Sequence, residues 1–244
     1  MEQPEYMRMF KQENEYWWYR GLHDLVEYFI RKRAGSLNNI SIFDAGCGTG
    51  RMLEIAKKYG NVAGIDFSGD AVEFCRQRGL NDVVQGDLNT WKCGASHYDV
   101  IYSLDVLYHR GIIDQEKILS EFAQALKPEG LLILNLAAFK CLYRNHDRVV
   151  HTARRYTKNE VASLLRKAGF TVLYNNYRLP VLFPVILLKK LFEKADDTES
   201  DLDTDLNPIT NALLYTYNRL ENIVHRLKVP LPFGTSVFTV AVKQ

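Results

Sequence analysis

Residues 44–50, Asp44-Ala45-Gly46-Cys47-Gly48-Thr49-Gly50, stand between an apolar run ending in an acid (ISIFD, 40–44) and a helical pattern over 51–59. Glycine lacks a Cβ, so a stretch with three of them can turn sharply and lie directly against a ligand. Working outward, a second apolar run, VAGID (62–66), also ends in an acid, and a helix is expected over 70–77. Strands are expected at 83–86, at 98–103 (YDVIYS) and at 131–136 (LLILNL), the last following the turn Pro128-Glu129-Gly130. Between them Ile118, Leu119, Phe122, Ala125 and Leu126 recur with a helical period. Strands alternating with helices are the mark of a parallel sheet built from βαβ units.

The rest of the chain continues the alternation. Thr157 followed by Glu160 reads as a capping box for a helix over 158–167, and strands are expected at 170–174 and at 236–242 (SVFTVAV). Residues 179–233 read as an insertion: an apolar helix to about residue 194, an acidic stretch (DDTESDLDTD) expected to be a solvated loop, and an amphipathic helix over 209–227. The domain organisation is a single unit, 1–244, with an N-terminal helical cap (1–38), a core (39–178), the insertion (179–233) and a last strand (234–244).

Composition excludes several classes. At 47% hydrophobic, 25% charged and net +2, the chain has no basic stripe for nucleic acid. Cys47, Cys75, Cys93 and Cys141 form no C-x-x-C pair, which argues against a disulfide framework or a zinc site and for a reduced, cytoplasmic setting. The N-terminus has no signal-peptide pattern, and LPVLFPVILL, broken by Pro180 and Pro184, is short for a membrane span.

Two ligand readings compete at the glycine loop. A dinucleotide fingerprint is G-x-G-x-x-G, yet its third position here is Arg51. Asp44 beside the loop would repel a pyrophosphate but can accept a hydrogen bond from an α-ammonium group, and Asp66 is placed to accept both hydroxyls of a ribose. An amino acid joined to a nucleoside describes S-adenosylmethionine.

Over about 40–136 the chain resembles the class I S-adenosylmethionine-dependent methyltransferases. DAGCGTG is similar to the family's first motif, with Asp44, Gly46, Cys47 and Gly48 as cofactor contacts. Asp66 matches the ribose-binding acid and Phe67 would line the adenosine. Gly86-Asp87-Leu88 resembles the segment in which Asp87 takes the adenine amino group and Leu88 covers the ring. YDVIYSLDVLYH (98–109), with Ser103, and LKPEGLLILN resemble the segments that follow. The resemblance implies a Rossmann-like, doubly wound α/β fold: a seven-stranded, mostly parallel sheet with an antiparallel last strand, the helical insertion preceding it. It also implies an N-terminal helix over the cofactor, with Trp18 and Arg20 of EYWWYR as contacts.

On the acceptor side, His109 lies just past the fourth strand, where open α/β sheets bind ligands. It reads either as a general base or as a half-buried histidine satisfied at a helix start. Tyr108 is a candidate substrate contact. The stretch His151-Thr152-Ala153-Arg154-Arg155-Tyr156-Thr157 resembles an H-x-R-R-Y-T loop of bacterial methyltransferases, with one extra residue after the histidine. His151 is thus a second candidate base, and Arg154, Arg155 and Tyr156 are candidates for holding an acidic or polar acceptor, one arginine being neutralised by Asp147. The expected acceptor is a small molecule, acidic or lipid- or sugar-linked, with peripheral membrane contact through 181–190 and no nucleic acid. The alternatives are a non-catalytic S-adenosylmethionine-binding module and a nicotinamide-dependent oxidoreductase.

Overall fold

A computed structural model describes residues 3–35, 37, 39–193 and 206–244. The acidic stretch 196–205 and residue 194, where the apolar helix was expected to end, lie outside the described residues. Among these residues a seven-stranded sheet has the order β3-β2-β1-β4-β5-β7-β6. The strands are β1 (Ile40–Ala45), β2 (Gly60–Asp66), β3 (Val83–Gln85), β4 (Tyr98–Leu104), β5 (Leu126–Ala137), β6 (Phe170–Arg178) and β7 (Ser236–Lys243). Pairing is parallel from β3 through β5, and β7 runs antiparallel between β5 and β6.

Alternation along each strand builds two cores. Ile40 and Ile42 of β1, Val100 and Tyr102 of β4 and Ile133 of β5 pack on one face under α2 (Trp17–Ala34) and α3 (Arg51–Ala56). Phe43, Ile101, Leu132 and Leu134 pack on the other, against α5 (Gln115–Ala125) and α7 (Lys158–Lys167). The N-terminus adds α1 (Gln3–Gln12), and α4 (Gly69–Gln77) links β2 to β3. The short helix α6 (Asn145–Val149) lies in the loop after β5. The insertion comprises α8 (Leu182–Phe192) and α9 (Pro208–Arg226).

Several bounds differ from the sequence expectation for identifiable reasons. β5 begins at Leu126 because Leu126 already pairs with Tyr98, and the Pro128–Gly130 turn survives as a register shift with Glu129 at φ +61°. β6 runs on to Arg178 through polar Asn175 and Asn176. Their amides find partners: Asn176 bonds Val229 O and Leu231 N, and Asn175 bonds Lys158 O and Thr239. The helix after the glycine loop is α to Ala56 and tightens to a 3-10 turn over Lys57–Tyr59.

The insertion leaves the sheet at Arg178 and returns at Ser236, which pair with each other and, through Ser236, with Ala137. All three sit at the carboxyl edge that carries the glycine loop. From there α9 packs on α2 through an amide row: Asn211 Nδ2 donates to Glu15 O, Asn218 Nδ2 to Trp17 O and Asn222 Nδ2 to Gly21 O. Gly21 makes this approach possible, since a Cβ there would lie 2.0 Å from Asn218 Nδ2. Gly21→Ala gains about 1 kcal/mol of helix propensity, but overpacking costs about 1–3 kcal/mol and displaces a buried amide. A net loss in denaturation midpoint is therefore expected. An unchanged or raised midpoint would mean that the α2–α9 contact is loose.

Candidate active site

β1 delivers Asp44 to the carboxyl edge and the chain reverses over the three glycines, all with left-handed φ (Gly46 +92°, Gly48 +52°, Gly50 +85°). The turn is tight: a Cβ on Gly46 would sit 2.3 Å from Val106 Cγ2. Gly46 and Cys47 N–H groups donate to Ile65 O at 2.9 and 3.0 Å, folding the loop back onto β2. There Asp66 accepts from Gly48 N at 2.8 Å and from Ser68 N at 2.9 Å. The Cys47 sulfur lies 3.9 Å from Cys75 Sγ, which donates to Gly48 O.

Three carboxyl groups converge on this loop. Burial pushes Asp44 well above the usual carboxylate range, offset by the Tyr102 hydroxyl and reinforced by Asp66 and Glu13. Burial also raises Asp66, against its bonds from Ser68 and Gly48. Burial lifts Glu13 to about 7, although Thr49 and Arg78 favour its ionised form. Like charges crowded together gain most from a cationic ligand and would repel a pyrophosphate. The residues present therefore fit S-adenosylmethionine, which is cationic at its sulfonium and ammonium: Asp44 for the ammonium, Asp66 for the ribose and the glycine backbone beneath.

The N-terminal helix α1 lies over the loop. The Tyr6 hydroxyl is 3.5 Å from Asp66 Oδ1, and a Cβ on Gly48 would come within 3.1 Å of Met9 Sδ. Thr49 Oγ1 and Arg78 Nη2 each donate to Glu13 Oε1 at 2.6 Å, and the Arg78 guanidinium covers the Phe10 ring. Sequence reasoning missed Tyr6, Met9 and Glu13; it placed the lid contacts at 18 and 20, and nothing local marks α1 as a cover. A carboxyl whose folded pKa is raised supports docking when protonated, fully below its ordinary 4.5 and progressively less as pH rises through about 7. Amides of α1 should thus exchange several-fold faster at pH 8 than at pH 6 after correction for intrinsic rates. Glu13→Gln should remove that difference; an equal pH slope in both proteins would rule out Glu13 as the docking group.

Other expected cofactor residues fall into two groups. Phe67 is 75% exposed beside Asp66, Leu88 is buried, and Asp87 Oδ1 accepts from the backbone and side-chain nitrogens of Asn89. Against expectation, Ser103 is fully buried and its hydroxyl donates to Ala45 O, so it ties β4 to β1 and does not face a ligand. Arg20 is likewise engaged elsewhere, its guanidinium 3.6 Å over the Tyr215 ring of α9. Trp18 packs edge-on against Tyr19 at the margin of the α2 core.

On the acceptor side the structure assembles a group that the sequence did not single out. Asp105 follows β4 at φ +60°; its N–H donates to Asn135 O and its Oδ2 accepts from Asn135 Nδ2, both at 2.9 Å. Burial raises its pKa to about 6, and Asn135, Arg178 and Tyr108 hold it down. Arg178, at the end of β6, is 0% exposed: Nη2 donates to Asn218 Oδ1 at 3.3 Å, while buried Nε and Nη1 have no hydrogen-bond partner among the described residues. Asn135 Oδ1 is similarly buried and unpartnered. Position directly after β4 was the one available signal for Asp105.

The expected base and clamp residues sort unequally. His109 Nδ1 accepts from Gly111 N–H at 3.0 Å, so the neutral ring carries its proton on Nε2 and has no free lone pair; this corrects its reading as a base. His151, 5.6 Å away ring to ring, stands at φ +56° with its buried Nδ1 unpartnered among the described residues. Arg155 is the arginine that Asp147 neutralises: Nε and Nη2 donate to Asp147 at 2.8 and 3.0 Å, and Nη1 donates to Ala138 O. It is a loop staple and not a clamp. Tyr156 is buried, its hydroxyl receiving Gln115 Nε2, and this removes it from the set of acceptor contacts. Arg154 is exposed beside that hydroxyl. Tyr108 is raised well above its usual range by burial and by Asp105.

Among known proteins, residues 43–134 match the family described as "Methyltransferase domain". The chain is 28% identical over 182 residues to a ubiquinone biosynthesis O-methyltransferase of Hydrogenovibrio crunogenus, covering 69% of this chain and 72% of that one. It is 29% identical over 123 residues to a probable tRNA methyltransferase 9B of Homo sapiens, covering 50% of this chain and only 26% of that one. An S-adenosylmethionine-dependent methyltransferase structure from Mesorhizobium loti superposes with a TM-score of 0.58 at 17% identity, covering 88% and 95% of the two chains. These matches set the oxidoreductase reading aside. Among the described residues, no helix is long and apolar enough to cross a membrane.

Proposed function

Since the chain belongs to the class I S-adenosylmethionine-dependent methyltransferases, we propose that it methylates a small acceptor carrying an anionic group and a protic nucleophile. The acceptor is free or joined to a lipid or sugar. The observation that carries this reading is Arg178, fully buried with two unpartnered nitrogens, near Asp105 at the carboxyl edge shared with the glycine loop. Glu221 and Asp105 lie within electrostatic reach of this guanidinium, yet its buried Nε and Nη1 donors are left without acceptors among the described residues, a cost that an anionic group on the methyl acceptor would relieve.

Bound S-adenosylmethionine supplies an activated methyl on a sulfonium, so the reaction is an in-line displacement and alignment provides much of the rate. Asp44 would hold the cofactor's ammonium group and Asp66 its ribose hydroxyls. Arg178 orients the acceptor's anion. Asp105, ionised at neutral pH, takes the proton that the acceptor's oxygen or nitrogen gives up as its bond to the methyl carbon forms. The α1 helix excludes water. Helix α8, none of whose side chains is buried, presents Leu188, Leu191 and Phe192 to a lipid tail or membrane surface.

The test is release of S-adenosylhomocysteine by the purified protein given S-adenosylmethionine and, in separate reactions, a catechol carboxylate, a sugar phosphate and bulk transfer RNA. Turnover on an anionic small molecule supports the reading. Turnover on transfer RNA alone contradicts it. Tight cofactor binding with no turnover on any acceptor favours the non-catalytic module.

A further inference from the structure

Helix α9 is inside out. Its buried residues are Asn218, Glu221, Asn222 and His225, all polar and all turned into the protein. Its exposed side carries Ile209, Leu213, Thr216, Leu220, Ile223 and Leu227, the last just past the helix end. Ile209 is 75% and Leu213 67% exposed. A helix on a protein surface normally does the opposite, burying its apolar stripe. Each residue of the buried polar row has a partner on α2, on β6 or just past it: His225 Nδ1 meets Tyr174 OH at 2.7 Å, Glu221 Oε1 accepts from Leu179 N at 2.8 Å, and the Asn218 and Asn222 amides donate to α2. Nothing among the described residues accounts for the apolar stripe.

The spacing identifies what would cover it. From 209 to 227 the apolar-facing positions step by four, three, four, three and four residues, the a/d seam of a coiled coil. That seam is narrow and fits the ridge of another helix. A helix lying in a bilayer surface has a broad apolar face opposite a solvated basic one, whereas the polar face of α9 is already used inside the fold. The stepping also reads identically in both directions. An antiparallel pair about a two-fold axis therefore sets Ile209 against Leu227, Leu213 against Ile223 and Thr216 against Leu220, twice over. Antiparallel helices also oppose their macrodipoles. Burying these side chains on both copies removes on the order of 1,000 Å² from water, near the threshold for a specific interface. We infer that the exposed seam of α9 is the interface of a two-fold homodimer, packed antiparallel on α9 of a second copy of this chain.

One flanking residue sharpens the test. Arg219, exposed beside the seam, would lie near its own copy at the two-fold axis. Like charges repel, so the dimer should tighten as salt screens them. Light scattering on size-exclusion chromatography of the full chain at tens of micromolar should give twice the 28.2 kDa chain mass. Leu213→Glu with Leu220→Glu should return the monomer mass with S-adenosylhomocysteine affinity unchanged. Because both leucines are exposed the fold should tolerate this, and the milder pair L213S and L220S carries the same reading. Arg219→Ala should lower the dissociation constant roughly two- to threefold. A monomeric wild type at these concentrations overturns the proposal, as does a dimer that survives both leucine pairs. So does a monomer that co-sediments with phosphatidylcholine–phosphatidylglycerol vesicles only while the leucines are intact, since the seam would then belong to a bilayer.

Discussion

Replacing Asp105 with asparagine is expected to lower kcat by about 10²- to 10⁴-fold, the range for losing a general base, while cofactor affinity stays within about a factor of three. The substitution is close to isosteric, and asparagine tolerates the left-handed φ of +60° that this position requires. The backbone bond from Asp105 N–H to Asn135 O is retained, so the loop keeps its shape. The pH profile separates a base from a structural acid. Burial holds the Asp105 carboxyl near 6, and only the ionised form accepts a proton. Turnover in the wild type should therefore rise with pH through about 6 and level off above it. Asp105→Asn should lose that limb. If kcat is little changed, or the same acid limb persists in the variant, the proton goes elsewhere, and His151 with its unpartnered Nδ1 is the next group to examine.

Asp66→Ala is expected to weaken S-adenosylmethionine binding by about 1–3 kcal/mol, the range for losing hydrogen bonds to a charged acceptor. Two losses combine. The ribose loses its acceptor, and the Gly48 and Ser68 N–H groups lose the carboxylate that holds the loop in register. Asp66→Asn separates them, because an amide oxygen can still accept from one N–H. Its affinity should fall between those of the wild type and the alanine variant. Calorimetric titration with S-adenosylhomocysteine reads all three proteins. Equal affinities would place the ribose away from Asp66.

Much of the fold was legible because its signals are local. The glycine loop, the acid ending β2 and the alternation of β1, β4 and β5 each lie within a few consecutive residues, where backbone geometry ties pattern to structure. What was not legible depends on distant partners. Glu13 meets Thr49 and Arg78 across 36 and 65 residues, so no local pattern marks α1 as the cover of the site. Asp105 and Arg178 come within electrostatic reach because β6, antiparallel to β7 as β5 is, ends at the same edge of the sheet as β4. Ser103 and Arg20 were misplaced for a related reason. Sequence gives a side chain's position along an element but not the partner that claims it, here Ala45 O and the Tyr215 ring. The role of His109 turned on a single backbone N–H, that of Gly111, which fixes the tautomer.

The carboxyl groups of Asp44, Asp66 and Glu13 around DAGCGTG suit a cationic amino acid joined to a nucleoside and not a dinucleotide. Isothermal titration of the full chain with S-adenosylmethionine and, separately, with NAD tests it most directly. Saturable, micromolar-range binding of S-adenosylmethionine and no measurable heat from NAD are expected. Binding of NAD with none of S-adenosylmethionine would contradict it.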